Sequence, residues 1–447
     1  MLEHARVLPV NESRRDAGLV RAVGSWALAA SIVNIVIGAG IFAVPSELAA
    51  SMGVYAGGAF LVCGVAIGAV AICFAEGGSR MPTSGGAYGY IEVAFGPLAG
   101  YIAGTMLWLG DALACGGVAA ALADVAVSVV PARFVVATHA AVIIGVIGGI
   151  ALVNSGGVAR GVRLVDAATA LKLIPFAIFV IAGVGAMHRA NFVPTVHVST
   201  SGLGRAVILA LFVCSGMETP LAASGEIAEP SRTIPRGLAI GMMSVVGLFI
   251  AIQVIAQGIL GPALAHSTVP LADAMARINP TLRLLMLAGA GLSMFGWIGS
   301  DILGTPRMLF AFARDGWLPR ALGRVHPRTH APHIAIWCYA GLTVGLALSG
   351  TFAELAVLST LATAVFYIGG CAAAWRLARR GVAVAGAPLN FRWLGAAAAI
   401  GIGSMLLLIA LASRAEIVGL LVVTGGSAAI YLLQSRGAQA RLRIRSQ

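Results

Sequence analysis

Apolar residues in this chain neither alternate nor keep to one helical face. They run in long blocks separated by short clusters of arginine, glycine and proline. Blocks of about 20 residues that are apolar all round are the pattern of membrane-spanning helices. Windows of that length fall at 25 to 49, 55 to 75, 97 to 123, 133 to 153, 164 to 186 and 203 to 226. A second set falls at 237 to 260, 285 to 312, 333 to 350, 354 to 376, 391 to 412 and 415 to 434. The pattern predicts an all-α integral membrane protein with twelve transmembrane helices. Two blocks are interrupted: Ser31 to Pro45 at Gly38-Ala39-Gly40, and Arg205 to Ser224 around Ser215-Gly216.

A helix that unwinds within the bilayer frees backbone N–H and C=O groups that lipid cannot satisfy, so each break is expected to line a cavity where a solute or ion does. A pair of such breaks points to a carrier of small solutes. Composition agrees with the membrane assignment: 59% of the 447 residues are hydrophobic, 10% are charged, and the mean hydropathy is +0.95. The six cysteines show no CxxC spacing and indicate neither a disulfide frame nor a zinc site. Single GxG or GxxxG matches among 58 glycines carry little information, because most such glycines serve close helix packing.

Charge sets the topology. With both termini placed in the cytoplasm, 22 arginines fall on that side and 6 on the other, an asymmetry that the positive-inside rule associates with an even number of spans in the plasma (inner) membrane. Residues 1–24 read as a cytoplasmic arm, 25–380 as the transport core, 381–435 as two further helices and 436–447 as a basic cytoplasmic tail. The tail arginines Arg436, Arg441, Arg443 and Arg445 suit anionic headgroups of the bilayer, and nucleic acid is excluded as a partner. No HExxH or GxSxG occurs, and Leu171 before Lys172 rules out a P-loop, so neither an enzyme nor a nucleotide-driven pump is expected. No cofactor or metal is expected.

Four ionisable residues stand out within the predicted spans, where a charge costs several kcal/mol and needs water or a partner. Lys172 is the chain's one lysine and lies in the fifth block. Asp111 lies in the third, one turn after Trp108; Glu218 directly follows the second break; Asp301 lies in the eighth, within reach of Arg307 or Lys172. Lysine, unlike arginine, releases its proton when buried, which suits coupling. Snorkelling of Lys172 and internal hydrogen bonding of Asp111 are the structural alternatives.

Asn34 to Pro45 resembles the first-helix signature of the amino acid, polyamine and organocation superfamily. Ala75-Glu76, Met81-Pro82, Gly85-Gly86-Ala87-Tyr88 and Phe95-Gly96-Pro97 resemble its second loop and third-helix entry. Gly216-Met217-Glu218 with Gly225-Glu226-Ile227, Pro230, Arg232 and Ile234-Pro235-Arg236 resembles its sixth helix, and Pro306-Arg307, Ala313-Arg314-Asp315-Gly316 and Leu318-Pro319 the end of its eighth.

The resemblance implies a five-plus-five inverted repeat with discontinuous helices 1 and 6 and peripheral helices 11 and 12. It implies a midplane site in which a substrate carboxylate meets the N–H groups at Ala39, Gly40 and Ile41, after Gly38, and an ammonium meets carbonyls near Val36, Phe212, Ser215 and Gly216. Phe212 resembles the aromatic gate over the substrate, and Trp297 an aromatic of the same pocket. Lys172 matches the lysine that stands at the sodium position in sodium-independent relatives.

The expectation is a sodium-independent amino acid or amine transporter working by alternating access, through proton symport or substrate exchange. Lys172, Glu218 and Asp301 are its coupling or gating groups. Asp111 with Trp297 tilts the substrate slightly toward a cation. The alternatives are a neutral amino acid permease and a non-transporting sensor. Asp301 departs from the family pattern, and the sequence leaves a homodimer open.

Overall fold

A chain this apolar can bury its backbone in lipid only by bonding each N–H to a carbonyl of its own segment, so the blocks form helices wherever glycine and proline permit. The structure, a computed structural model, describes residues 23–38, 40–81, 87–156, 172–194, 197–221, 227–314, 317–329, 331–383 and 388–445, with side chains to 434 and without that of Ala87. Outside them lie Ala39, Pro82, Gly85, Gly86, Gly225, Glu226, Asp315, Gly316, the arm through residue 22, residues 157–171 and the side chains of the tail arginines.

The first block is α1 (Ser25–Val36), a 3-10 turn (Gly40–Phe42) and α2 (Val44–Met52). There follow α3 (Ala56–Arg80), a short α4 (Ala87–Phe95), α5 (Pro97–Val127), α6 (Val135–Ser155) and α7 (Leu173–Val184). The sixth block is α8 (Thr200–Cys214) and a single turn, α9 (Glu218–Leu221). Then come α10 (Pro230–Leu260), α11 (Pro270–Ala276), α12 (Pro280–Gly304), α13 (Pro306–Arg314) and α14 (His333–Ser349). The chain ends with α15 (Phe352–Arg379), α16 (Leu394–Leu411) and α17 (Arg414–Arg445). Among the described residues the β pairing is an isolated bridge, Val23 to Ile227.

Among the described residues, eight stretches are long and apolar enough to cross a membrane; α1, α7, α8 and α14 are shorter apolar helices. The shortness of α1 and α8 follows from the breaks, while α7 starts at Leu173, after a turn at Lys172. Helix starts carry the expected chemistry. Pro97, Pro230, Pro270 and Pro280 open their helices, where the missing N–H costs nothing. Ser199 accepts from Gly202 N–H at 3.0 Å, Asn279 from Thr281 N–H at 2.8 Å, and Thr351 with Glu354 forms a capping box. The last helix runs on to Arg445, beyond the tail boundary expected at 436, since Ala, Gln, Leu and Arg there are good helix formers.

Helix α15 packs along α5 and α3, and α10 along α1 and α3, so the two broken helices are held by long continuous ones. Most of α5 is buried, whereas little of the spanning part of α17 is. Helix α16 is less peripheral than the resemblance implied, since it packs on both α15 and α3.

The end of α3 is fastened by a buried polar cluster. Arg80 Nε donates to Glu76 Oε1 at 2.7 Å, and its guanidinium reaches the Val382 carbonyl (3.1 Å) and Asn390 Oδ1 (2.6 Å). The other Glu76 oxygen accepts from Phe391 N–H at 2.9 Å, and Ser79 Oγ from Leu389 N–H at 3.0 Å. Glu76 is fully buried, so removing its partner leaves an uncompensated carboxylate, which typically costs ~3–5 kcal/mol. Arg80→Ala is therefore expected to lower the unfolding midpoint of the detergent-solubilised protein sharply, and the double variant Glu76→Gln, Arg80→Gln to lose less than the single one. An unchanged midpoint in Arg80→Ala would contradict this role.

Candidate site at the two broken helices

The breaks set backbone groups free, and the partners those groups find define the site. In a continued α1, Gly38 N–H would bond to the Asn34 carbonyl; instead it turns back to Val36 O at 2.7 Å. The Asn34 carbonyl is then taken by the ammonium of Lys172, reaching across from the start of α7. The Gly38 carbonyl accepts from Ser293 Oγ of α12 at 3.2 Å. Beyond the break, Ala43 N–H closes the 3-10 turn on Gly40 O at 3.0 Å, and Gln253 of α10 donates to the Pro45 carbonyl at 3.2 Å. Three other helices thus supply donors to the first break and its far side.

The second break is satisfied more locally. Ser215 returns both its hydroxyl (2.7 Å) and its N–H (3.4 Å) to the Phe212 carbonyl. Gly216 takes φ = +112°, a conformation that side chains disfavour. Its N–H donates to Glu218 Oε2 at 3.2 Å, and the same oxygen accepts from the Tyr367 hydroxyl of α15 at 2.8 Å. Glu218 therefore ties the break to α15.

Between the breaks lies a cavity of about 350 Å³. Of the residues singled out from the sequence, Val36, Gly38, Gly40, Asp111, Lys172, Phe212, Ser215, Gly216, Glu218, Trp297 and Asp301 line it. Ile41 does not; its side chain is buried in the core. Ala39 lies outside the described residues. The two glycines of the first break are close-contact positions. A Cβ on Gly38 would come within 2.7 Å of the Trp297 ring, and one on Gly40 within 2.4 Å of Val213 and 3.1 Å of Phe212. The Phe212 ring meets Phe352 edge-on, with centroids 5.7 Å apart.

A further wall is built by α5 and α12. Asp301 pairs with neither Lys172 nor Arg307: among the described residues no carboxylate lies within ion-pair distance of either cation. Asp301 instead accepts from the Tyr339 hydroxyl (2.6 Å) and contacts Thr305 Oγ1 (2.9 Å). Thr305 also reaches Asp111, at 3.3 Å. Thr305, Tyr339, Ser293 and Tyr367 were not picked out from the sequence. Thr305 had a signal, standing one helical turn after Asp301; the others are ordinary polar residues in spans whose partners only folding reveals.

The chain is similar to known transporters over most of its length. A sequence model described as amino acid permease matches residues 23–429. An uncharacterized transporter of Mycobacterium tuberculosis is 32% identical over 371 residues, which cover 80% of this chain and 79% of the relative. A branched-chain amino acid permease of Lactococcus lactis is 27% identical over 78% of this chain and 80% of its own length, and a serine/threonine exchanger of Bacillus subtilis 27% over 82% and 85%. With its apolar helices and its paired breaks around one cavity, the chain belongs to the amino acid permease family of the amino acid, polyamine and organocation superfamily, and is a multi-pass membrane transporter rather than an enzyme.

Proposed function

We propose that this chain is a sodium-independent secondary carrier of amino acids or related amines, working by alternating access through proton symport or substrate exchange. The observation that carries the reading is that residues of both breaks line one cavity, with Lys172 bonded to a carbonyl of the first break. Backbone N–H groups at Gly40 and Ile41 would receive the substrate carboxylate, and carbonyls near Val36, Phe212 and Ser215 its ammonium. An ammonium bonded to a break carbonyl removes an oxygen that a sodium ion would need, in keeping with sodium independence. Phe212 would close over the substrate.

The same reading includes twelve crossings in the plasma (inner) membrane with both termini cytoplasmic, and a five-plus-five repeat over residues 25–380. Its support is the arginine asymmetry and the position of one break at the start of each half. The lining favours a cationic substrate: Asp111, Glu218 and Asp301 face a single lysine, beside the ring of Trp297. A second reading, a neutral substrate, is favoured by the names of the Lactococcus and Bacillus relatives and by the engagement of all three carboxyl groups with protein donors. A sensor on the same scaffold would bind without flux.

Counterflow into proteoliposomes loaded with mixed amino acids and amines separates these readings. Labelled arginine, ornithine or putrescine is expected to accumulate at the same rate in sodium and in choline buffer. Breaking a buried charge pair costs about 2–5 kcal/mol, so Asp111→Asn should lower that uptake roughly 30-fold or more while sparing alanine and leucine. Uptake of neutral amino acids alone, undiminished in the variant, would move the assignment to the second reading. Saturable binding with no flux would contradict transport.

The close contacts at the first break give a second expectation. Gly40→Ala should abolish counterflow while the protein elutes as wild type from a sizing column. Gly68→Ala, where a Cβ meets nothing within 4 Å, should transport normally. Normal flux in Gly40→Ala would contradict the placement of the substrate at this turn.

A further inference from the structure

The wall shared by α5 and α12 holds more acceptors than it has protons for. Thr305 Oγ1 lies 2.9 Å from Asp301 Oδ1 and 3.3 Å from Asp111 Oδ2. A threonine hydroxyl carries one proton and donates to one oxygen at a time. Toward the other carboxyl it presents lone pairs, and that contact is attractive only if a proton lies on the carboxyl. The second Asp301 oxygen is already occupied by the Tyr339 hydroxyl at 2.6 Å. Tyr339 is fully buried and packs edge-on against Trp108, so it is fixed in that role.

Among the described residues no cation lies within ion-pair distance of either carboxyl to spare the proton. From α5 the groups facing the pair are Asp111 itself and the Cys115 thiol, which contacts Asp301; from α14 the group is Tyr339. Across the same cavity stand Glu218 and Lys172. Lys172 donates to the Asn34 carbonyl and has no carboxylate within ion-pair distance among the described residues. Glu218 accepts from Gly216 N–H and from Tyr367, an arrangement that an ionised carboxylate satisfies without a proton. Two like charges joined through one hydroxyl cannot both ionise cheaply.

From this geometry we infer that Asp111 and Asp301, bridged by Thr305, form a one-proton carboxyl pair, and that the exchangeable proton of the cavity resides there rather than on Lys172. The pair carries a single negative charge when it holds its proton. A neutral substrate leaves that proton in place, to cross with it. A cationic group that approaches the pair displaces the proton to water, the pair going from one negative charge to two as the cation adds one positive charge. The transport consequence rests on the reading of this cavity as the substrate site; the shared proton itself does not.

Infrared difference spectroscopy reads the proton directly. The purified wild-type protein at neutral pH is expected to show the C=O stretch of a protonated carboxylic acid, shifted in D2O and shifted again when aspartate, but not glutamate, is labelled with 13C at the side-chain carboxyl. The band should be lost in Asp111→Asn and in Asp301→Asn, because the one remaining carboxylate keeps the Thr305 proton. It should persist in Glu218→Gln. Absence of the band from the wild type, or a band of wild-type intensity in both aspartate variants, would overturn the inference, and the wild-type labelling result stands even if a variant fails to fold.

In proteoliposomes an inward proton gradient should accelerate wild-type uptake of a neutral amino acid and slow that of a cationic one, and Asp301→Asn should lose this response, read as the ratio of uptake with the gradient to uptake without it. A retained response in that variant would also overturn it. An intact band in a wild type that exchanges no amino acid or amine would uphold the pair and contradict the proposed function instead.

Discussion

Everything in this structure answers to one constraint: a helix opened inside a bilayer must find partners for the backbone groups it exposes. At the first break the carbonyl of Asn34 goes to Lys172 and that of Gly38 to Ser293. At the second, Gly216 N–H goes to Glu218, which is itself held by Tyr367. None of these donors and acceptors would have a role in an unbroken helix. Their positions on α7, α12 and α15 explain why a chain of 59% hydrophobic residues retains buried polar groups at these points.

The same ties bear on motion. Lys172 joins α7 to α1, Ser293 joins α12 to α1, and Tyr367 joins α15 to the second break. If a bundle containing the broken helices rocks against the remaining helices, some of these bonds must be exchanged, and a ligand biases the motion only by preferring one arrangement over the other. The tight fit of Gly38 under Trp297 and of Gly40 against Val213 leaves little slack, so small shifts on one side of the cavity are passed to the other.

Much of the architecture was legible in the sequence because lipid imposes long apolar blocks, and because Gly38-Ala39-Gly40 and Ser215-Gly216 visibly interrupt two of them. The ionisable residues within spans were equally visible, since charge is rare there. What the sequence did not reveal was who satisfies whom. Asp301 was expected near Arg307 or Lys172, yet it meets Tyr339 and Thr305, one of them 38 positions away along the chain. Ile41 belongs to the signature but faces the core, because the 3-10 turn at Gly40–Phe42 rotates it away from the cavity. Hydroxyl partners such as Ser293 and Tyr367 leave no mark in a linear pattern, since serine and tyrosine are common in helices and acquire meaning only across a packed interface.

The proposed function requires the cavity between the two breaks to hold the substrate and to open to water. Ser300 lines that cavity and is exposed within it, while Cys338 is the exposed cysteine among the native ones. The most direct measurement is the rate at which a membrane-impermeant thiol reagent modifies Ser300→Cys in a Cys338→Ser background, with and without a transported amino acid or amine. Labelling that is slowed in a saturable way by the transported solute, and not by one that is not carried, is the result this account predicts. A rate indifferent to every transported solute would contradict it.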